Sequence, residues 1–168
     1  MGRRREGSAG AGPVTVTRKE EEGMFKKIVY PTDFSTEAVR ALGFVRKLKE
    51  AGAKEVVLLH IIDRRGLSDL SRFATKDIAD IVDELEVKAR KELQKIEKEL
   101  HDLGFKVTIR LEQGDPFKEI LRVEEEEDAS LIVIGARGKA DTFPAVLLGS
   151  VSYNLVRKAS CPVLVVKR

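Results

Sequence analysis

The chain has 168 residues, of which 42% are hydrophobic and 35% charged, a composition suited to one globular domain with a full core. The 31 basic and 28 acidic residues nearly cancel to a formal charge of +3, so a nucleic-acid binder is disfavoured. A lone cysteine rules out an intrachain disulfide and fits a reducing cytoplasm, and no apolar run approaches the ~20 residues of a membrane span.

Residues 1–23 are rich in Gly, Arg and Glu, without helix or strand periodicity, and read as a mobile tail. They lack the apolar stretch of a secretory signal. The folded domain is expected over 24–168. FKKIVY (25–30) reads as a strand ended by Pro31. Ser35 is a good N-cap, Ala38, Leu42, Val45 and Leu48 share a helical face, and Gly52 stops that helix. EVVLLHII (55–62) is nearly continuous in apolar residues, as in a strand buried on both faces. A polar loop is expected over 63–75. A long amphipathic helix then runs from Ile78 to Leu103 and ends at Gly104. KVTIRLEQ (106–113) alternates, as an edge strand does. Asp115-Pro116 is a strong helix start, and EEEED (124–128) reads as a solvated surface. LIVI (131–134) is a buried strand, Gly149-Ser150 opens the last helix, and PVLVVK (162–167) is the final strand.

Strands alternating with helices imply a parallel sheet covered on both faces. The expected fold is doubly wound α/β, with five strands in the order 3-2-1-4-5. Ligands in such folds sit at the carboxyl ends of strands, where the strand order reverses. That point lies between the first and fourth strands. Pro31, Thr32 and Asp33 of PTDFS then face GARG (135–138) across one crevice.

The chemistry available there suits phosphate. Gly135 and Gly138 leave an open turn after the strand, and Gly149-Ser150 place a helix start nearby. Arg137 and Lys139 carry charge that neutralises phosphate, although Arg137 could equally fill the site. The plainer reading makes Gly135 a strand-exit turn and Gly149 an N-cap. Asp33 has the chemistry to accept from ribose hydroxyls or to hold a divalent cation; the plainer reading makes it a helix cap. Ile61 offers backbone to a purine edge, or is simply core. G-x-x-x-x-G-K-[ST] and G-x-G-x-x-G are both missing, which disfavours a Walker-type ATPase and a dinucleotide dehydrogenase. His60, His101 and Cys161 form no catalytic or metal constellation; His60 reads as structural and Cys161 as packing.

KKIVYPTDFSTEA, VVLLHIID, LIVIGARG and LLGSVSYNLVRKASCPVLVVK together resemble the universal stress protein family. The resemblance covers 24–168 and implies a Rossmann-like three-layer sandwich of the adenine-nucleotide alpha-hydrolase-like type. The family's ATP-binding branch carries G-x₂-G-x₉-G-[ST]. Gly135, Gly138 and Gly149-Ser150 match it, but ten residues, not nine, separate Gly138 from Gly149. One extra residue moves those glycines apart by up to ~3.5 Å. The resemblance implies ATP with Mg²⁺ or Mn²⁺ and a nucleotide site drawn from Pro31, Thr32, Asp33, Ile61, Ile134, Gly135, Arg137, Gly138, Gly149, Ser150 and Val151. Thr32 and Asp33 would contact the nucleoside, and Ile61 would present backbone to adenine. Ile134 and Gly135 would border base and sugar, and Gly138, Gly149, Ser150 and Val151 would hold phosphates. Asp33 is the candidate metal ligand. The resemblance also implies a homodimer through the last strand, whose unpaired apolar edge itself calls for a partner. Three readings stand: a cytoplasmic ATP-binding stress-response module, a relative that works through an unidentified protein partner without nucleotide, and a slow ATP hydrolase. No paired general acid and base is visible near the loop apart from Asp33 and Asp141, and Asp141 reads as a solvated loop residue, so turnover is expected to be slow at most.

Overall fold

Short apolar runs bounded by turn residues form the centre of the molecule. The computed structural model describes residues 24–67, 77–139 and 148–167. In chain order they form β1 (Lys27–Pro31), α1 (Thr36–Leu48), β2 (Glu55–Asp63), a 3-10 turn (Arg64–Gly66), α2 (Ile78–Asp102), β3 (Lys106–Gly114), α3 (Pro116–Glu126), β4 (Leu131–Gly135), α4 (Ser150–Lys158) and β5 (Val163–Val166). The sheet order is β3-β2-β1-β4-β5 and every pairing is parallel, as the strand–helix alternation predicts. The expected tail, 1–23, lies outside the described residues.

Strand side chains alternate between the two faces of the sheet, and each face has its own core. Ile28, Tyr30, Val56, Leu58 and Val133 pack with Leu42 and Val45 of α1 and with Leu93 and Leu100 of α2. Val29, Val57, Leu59, Ile132 and Ile134 pack on the other face with Ile120 and Val123 of α3 and Leu155 of α4. The result is a three-layer sandwich with the Rossmann-like arrangement.

Helix ends differ slightly from the expectation. α1 gives way after Leu48 to tighter turns that run on to Gly52, whose φ is +92°. There Ala53 N–H donates to Leu48 O and Gly52 N–H to Lys49 O, the paired bonds of a Schellman close. Asp128 takes the same position after α3 at φ +48°, with Ala129 N–H donating to Glu124 O.

Two expectations are corrected. Residues 63–67 depart from the loop expected over 63–75: Asp63 still pairs with Gly114 in the sheet, residues 64–66 form a helical turn and Leu67 is buried, while 68–75 lie outside the described residues. The acidic run 124–128 is not a uniformly solvated surface. Glu124 is only 5% exposed, and its Oε1 accepts from Ser160 N–H and Cys161 N–H, both at 2.7 Å. Glu126 and Glu127 pair with Arg110 at 2.8 and 3.1 Å. A buried carboxylate persists only where donors replace its lost water, and the turn entering β5 supplies two.

Candidate functional site

The strand order reverses between β1 and β4, and both strands end at one crevice. On the β1 side the chain is held turn by turn. Pro31 closes the strand, and Thr32 N–H donates to Leu59 O at 2.8 Å. Thr32 Oγ1 accepts from Phe34 N–H at 3.1 Å, and Asp33 Oδ1 accepts from Ser35 N–H at 3.0 Å. Ser35 is the N-cap of α1, its hydroxyl accepting from Ala38 N–H at 3.2 Å. Phe34 sits at φ +60°, a cost offset by stacking on His60 with ring centroids 4.7 Å apart. His60 Nδ1 lies 2.7 Å from Thr32 O and donates to it, and burial holds the imidazole below its ordinary pKa. The histidine read as structural thus braces the PTDFS turn.

On the β4 side the glycines have separate roles. A Cβ on Gly135 would stand 2.8 Å from the Glu37 backbone carbon and 3.0 Å from Ala38 N, so the strand end passes hard against the first turn of α1. A Cβ on Gly138 would stand 2.9 Å from Asp33 Oδ2. That same oxygen accepts from Lys139 N–H at 2.7 Å. Asp33 therefore neither caps α1 directly nor stands apart; it bridges the two loops. Gly149 is the N-cap of α4 in extended backbone, and its N–H donates to Ala136 O at 2.7 Å. The buried Ser152 hydroxyl donates to the same carbonyl at 2.7 Å. The start of α4 is thereby fixed beside the β4 exit, with its first N–H groups at the crevice. Residues 140–147 of the intervening loop, Pro144 and Asp141 among them, lie outside the described residues.

The crevice has a volume of about 280 Å³, at the lower edge of the small-molecule range. All eleven residues singled out in the sequence line it: Pro31, Thr32, Asp33, Ile61, Ile134, Gly135, Arg137, Gly138, Gly149, Ser150 and Val151. Arg137 is in the wall, but its Nη2 lies 3.6 Å from Glu37 Oε1, an atom equally distant from Arg40 Nη1. Its charge is therefore shared with α1. The opposite end is more apolar, formed by Ile61, Pro116 and Ile120, with Asp63 and Arg65 at its rim. The sequence reading missed these last four residues. Asp115-Pro116 was legible as a helix start, and in a doubly wound sheet a helix that follows a strand begins at the ligand end.

A divalent cation would find Asp33 here but no closed protein cage. Among the described residues no cluster of three or more His, Cys, Asp or Glu side chains could hold a metal. A single carboxylate is compatible with an ion that arrives bound to phosphate oxygens.

The model of the universal stress protein family matches residues 24–167. The chain belongs to the universal stress protein family. It is 40% identical over 157 residues to universal stress protein MJ0577 of Methanocaldococcus jannaschii, a match covering 86% of this chain and 96% of that one. Universal stress protein MJ0531 of the same organism is 31% identical, with 88% and 85% covered. The solved structure of hypothetical protein MJ0577 superposes with a TM-score of 0.77 at 41% identity, covering 86% of this universal stress protein and 97% of that chain. Universal stress protein UspA from Lactobacillus plantarum shares the fold, with a TM-score of 0.71 at 19% identity and coverage of 84% and 97%. Among the described residues no helix is long and apolar enough to cross a membrane.

Proposed function

We propose that this universal stress protein binds ATP in the crevice between β1 and β4, with Mg²⁺ or Mn²⁺ carried on the phosphates. It acts in the cytoplasm as a nucleotide-dependent stress-response module and pairs with a second copy through β5. The observation that carries the reading is the convergence at Asp33. Its carboxylate meets a backbone N–H of the glycine loop at 2.7 Å, where a Cβ on Gly138 would collide with it. A site with anion-seeking N–H groups and a helix start at one end, and Ile61, Pro116 and Ile120 at the other, has the polarity of a nucleotide. Thr32 and Asp33 are the groups for ribose hydroxyls, Ile61 and Ile134 for the base, and Gly138, Gly149, Ser150 and Val151 for phosphates. The resemblance to G-x₂-G-x₉-G-[ST] supports the same assignment.

The free edge of the sheet supports the pairing through β5. Pro162 O and Val166 O accept from Ile132 and Ala136 of the β4 side, so the backbone groups of Val163 and Val165 point away from β4. Tyr153 and Val156 of α4 add exposed apolar surface.

A specific observation favours the alternative, a family member that works by protein–protein contact without nucleotide. Asp33 is already bonded to the loop and Arg137 is already beside Glu37, so the site satisfies part of its own chemistry. Calorimetric titration of ATP with Mg²⁺ into nucleotide-stripped protein separates the two. Micromolar binding that Gly138→Val abolishes in a folded protein supports the nucleotide reading; no binding at millimolar ATP overturns it. Multiple-turnover ADP release is expected to be absent or very slow.

A further inference from the structure

The end of the crevice away from the glycine loop carries a charged arrangement that neither the motif nor the family resemblance assigns. Arg65, on the turn after β2, directs Nε and Nη2 at Asp63, with Nε–Oδ1 at 2.9 Å and Nη2–Oδ2 at 2.6 Å. Its Nη1 reaches across to Asp115 Oδ2 at 3.0 Å. Asp115 is itself fixed as the N-cap of α3, its Oδ1 accepting from Lys118 N–H at 3.2 Å. The guanidinium thus bridges the end of β2 and the start of α3. All three guanidinium nitrogens face a carboxylate, which fixes the plane; two further N–H groups and the flat face remain for a ligand. Although the side chain is 60% exposed, it lines the crevice together with Ile61, Pro116 and Ile120. Guanidinium planes stack well on heteroaromatic rings, and a carboxylate pair that fixes the plane lowers the entropy lost on stacking.

We propose that Arg65 is a base-recognition residue, stacking on the outer face of a purine whose inner face lies on Ile61 and Ile120, with Asp63 and Asp115 as positioning residues. The ligand's direction is set by the other end, where the N–H groups of the glycine loop and the start of α4 favour anions: base toward Arg65, phosphates toward Gly138 and Ser150. This inference rests on the nucleotide reading above.

The test measures the affinity of the full chain for ATP, for adenosine and for inorganic tripolyphosphate. Wild type, Arg65→Ala and Arg65→Lys are compared, with thermal unfolding as the check on folding. Arg65→Ala is expected to weaken ATP and adenosine alike by about 3- to 30-fold and to leave tripolyphosphate unchanged. Arg65→Lys, which keeps the charge but not the plane, is expected to restore less than half of that loss on a logarithmic scale. Unchanged ATP and adenosine affinity in Arg65→Ala overturns the proposal while leaving the nucleotide reading intact. Loss confined to ATP and tripolyphosphate also overturns it, because Arg65 would then act as a simple anion attractor. A wild type that binds none of the three probes overturns the nucleotide reading and this proposal with it.

Discussion

The two glycines of GARG sit three residues apart, yet adding one methyl group to each is expected to do different things. At Gly135 the new Cβ would meet backbone: Glu37 C at 2.8 Å, with Glu37 Cβ at 2.9 Å and Ala38 N at 3.0 Å. Relief requires moving the first turn of α1 away from the sheet. That turn is anchored by the Ser35 cap and by Tyr30 Oη, which donates to Ala38 O at 2.8 Å in the buried core. Overpacking against an anchored backbone costs ~1–3 kcal/mol. For a domain of this size that lowers Tm by roughly 3–10 °C. At Gly138 the new Cβ would meet, among the described residues, only the tip of the Asp33 side chain, 2.9 Å from Oδ2, with Cγ already at 3.9 Å. Asp33 yields by rotating, at the cost of its bond to Lys139 N–H, a loss of ~1 kcal/mol at a partly exposed site.

Circular-dichroism melts and ATP titrations of Gly135→Ala and Gly138→Ala, run side by side, test this. Gly135→Ala is expected to melt markedly lower. Gly138→Ala is expected to melt within about 3 °C of wild type and to lose at least tenfold in ATP affinity, because the methyl fills the space between the loop and Asp33. Wild-type melting of Gly135→Ala would refute the packing argument. Tight ATP binding by Gly138→Ala would refute the cradle.

Three further outcomes follow from burial and hydrogen bonding. Tyr30 is fully buried and burial pushes its phenol up to about 12, so the folded chain keeps a proton that the unfolded chain releases near 10. Its contribution is complete below pH 10 and is lost as pH rises from 10 to 12. Urea denaturation at pH 9 and pH 11.5 should therefore show a stability loss that is ~1–2 kcal/mol smaller in Tyr30→Phe than in wild type, and equal losses would sink the assignment. Glu124→Ala strips the acceptor from Ser160 N–H and Cys161 N–H and is expected to cost ~2–3 kcal/mol, whereas Glu124→Gln keeps one oxygen and should cost less than half as much; equal costs by urea midpoint would contradict this. Val165→Pro deletes an N–H that faces away from β4, so sedimentation should show a dimer turning into a folded monomer, and an unchanged dimer would move the interface away from β5.

The sequence carried the architecture because a parallel sheet buried on both faces needs apolar runs such as VVLL and LIVI, and its crossovers need caps such as Ser35 and Asp115. Once the strand order is set, the reversal point brings Asp33 and the glycine loop together without any side-chain knowledge. Contacts between distant parts of the chain were not legible. Gly135 reads as a turn residue, but its constraint comes from Glu37 and Ala38, about a hundred positions earlier. Glu124 looks like its four acidic neighbours, and only the arrival of the turn before β5 separates it from them. Arg65 sits in a polar stretch with nothing to mark it until Asp115 comes into reach from another βα unit. His60 gave no positive signal, because its partner is a backbone carbonyl.

The bond from Asp33 to Lys139 N–H has a consequence for how the crevice is entered. A phosphate oxygen approaching the loop would compete with a carboxylate for the same donor, and two anions do not share an N–H comfortably. Either the carboxylate turns toward a ribose hydroxyl and releases the loop, or a cation lies between carboxylate and phosphate. Both routes disturb the β1 and β4 loops together, because one side chain holds both: Oδ1 the start of α1 and Oδ2 the glycine loop. The extra residue between Gly138 and Gly149 matters less in this light than its length suggests. Gly149 is fixed independently through Ala136 O, and Gly138 lies against Asp33. The two ends of that interval are therefore anchored separately, and both lie at the crevice.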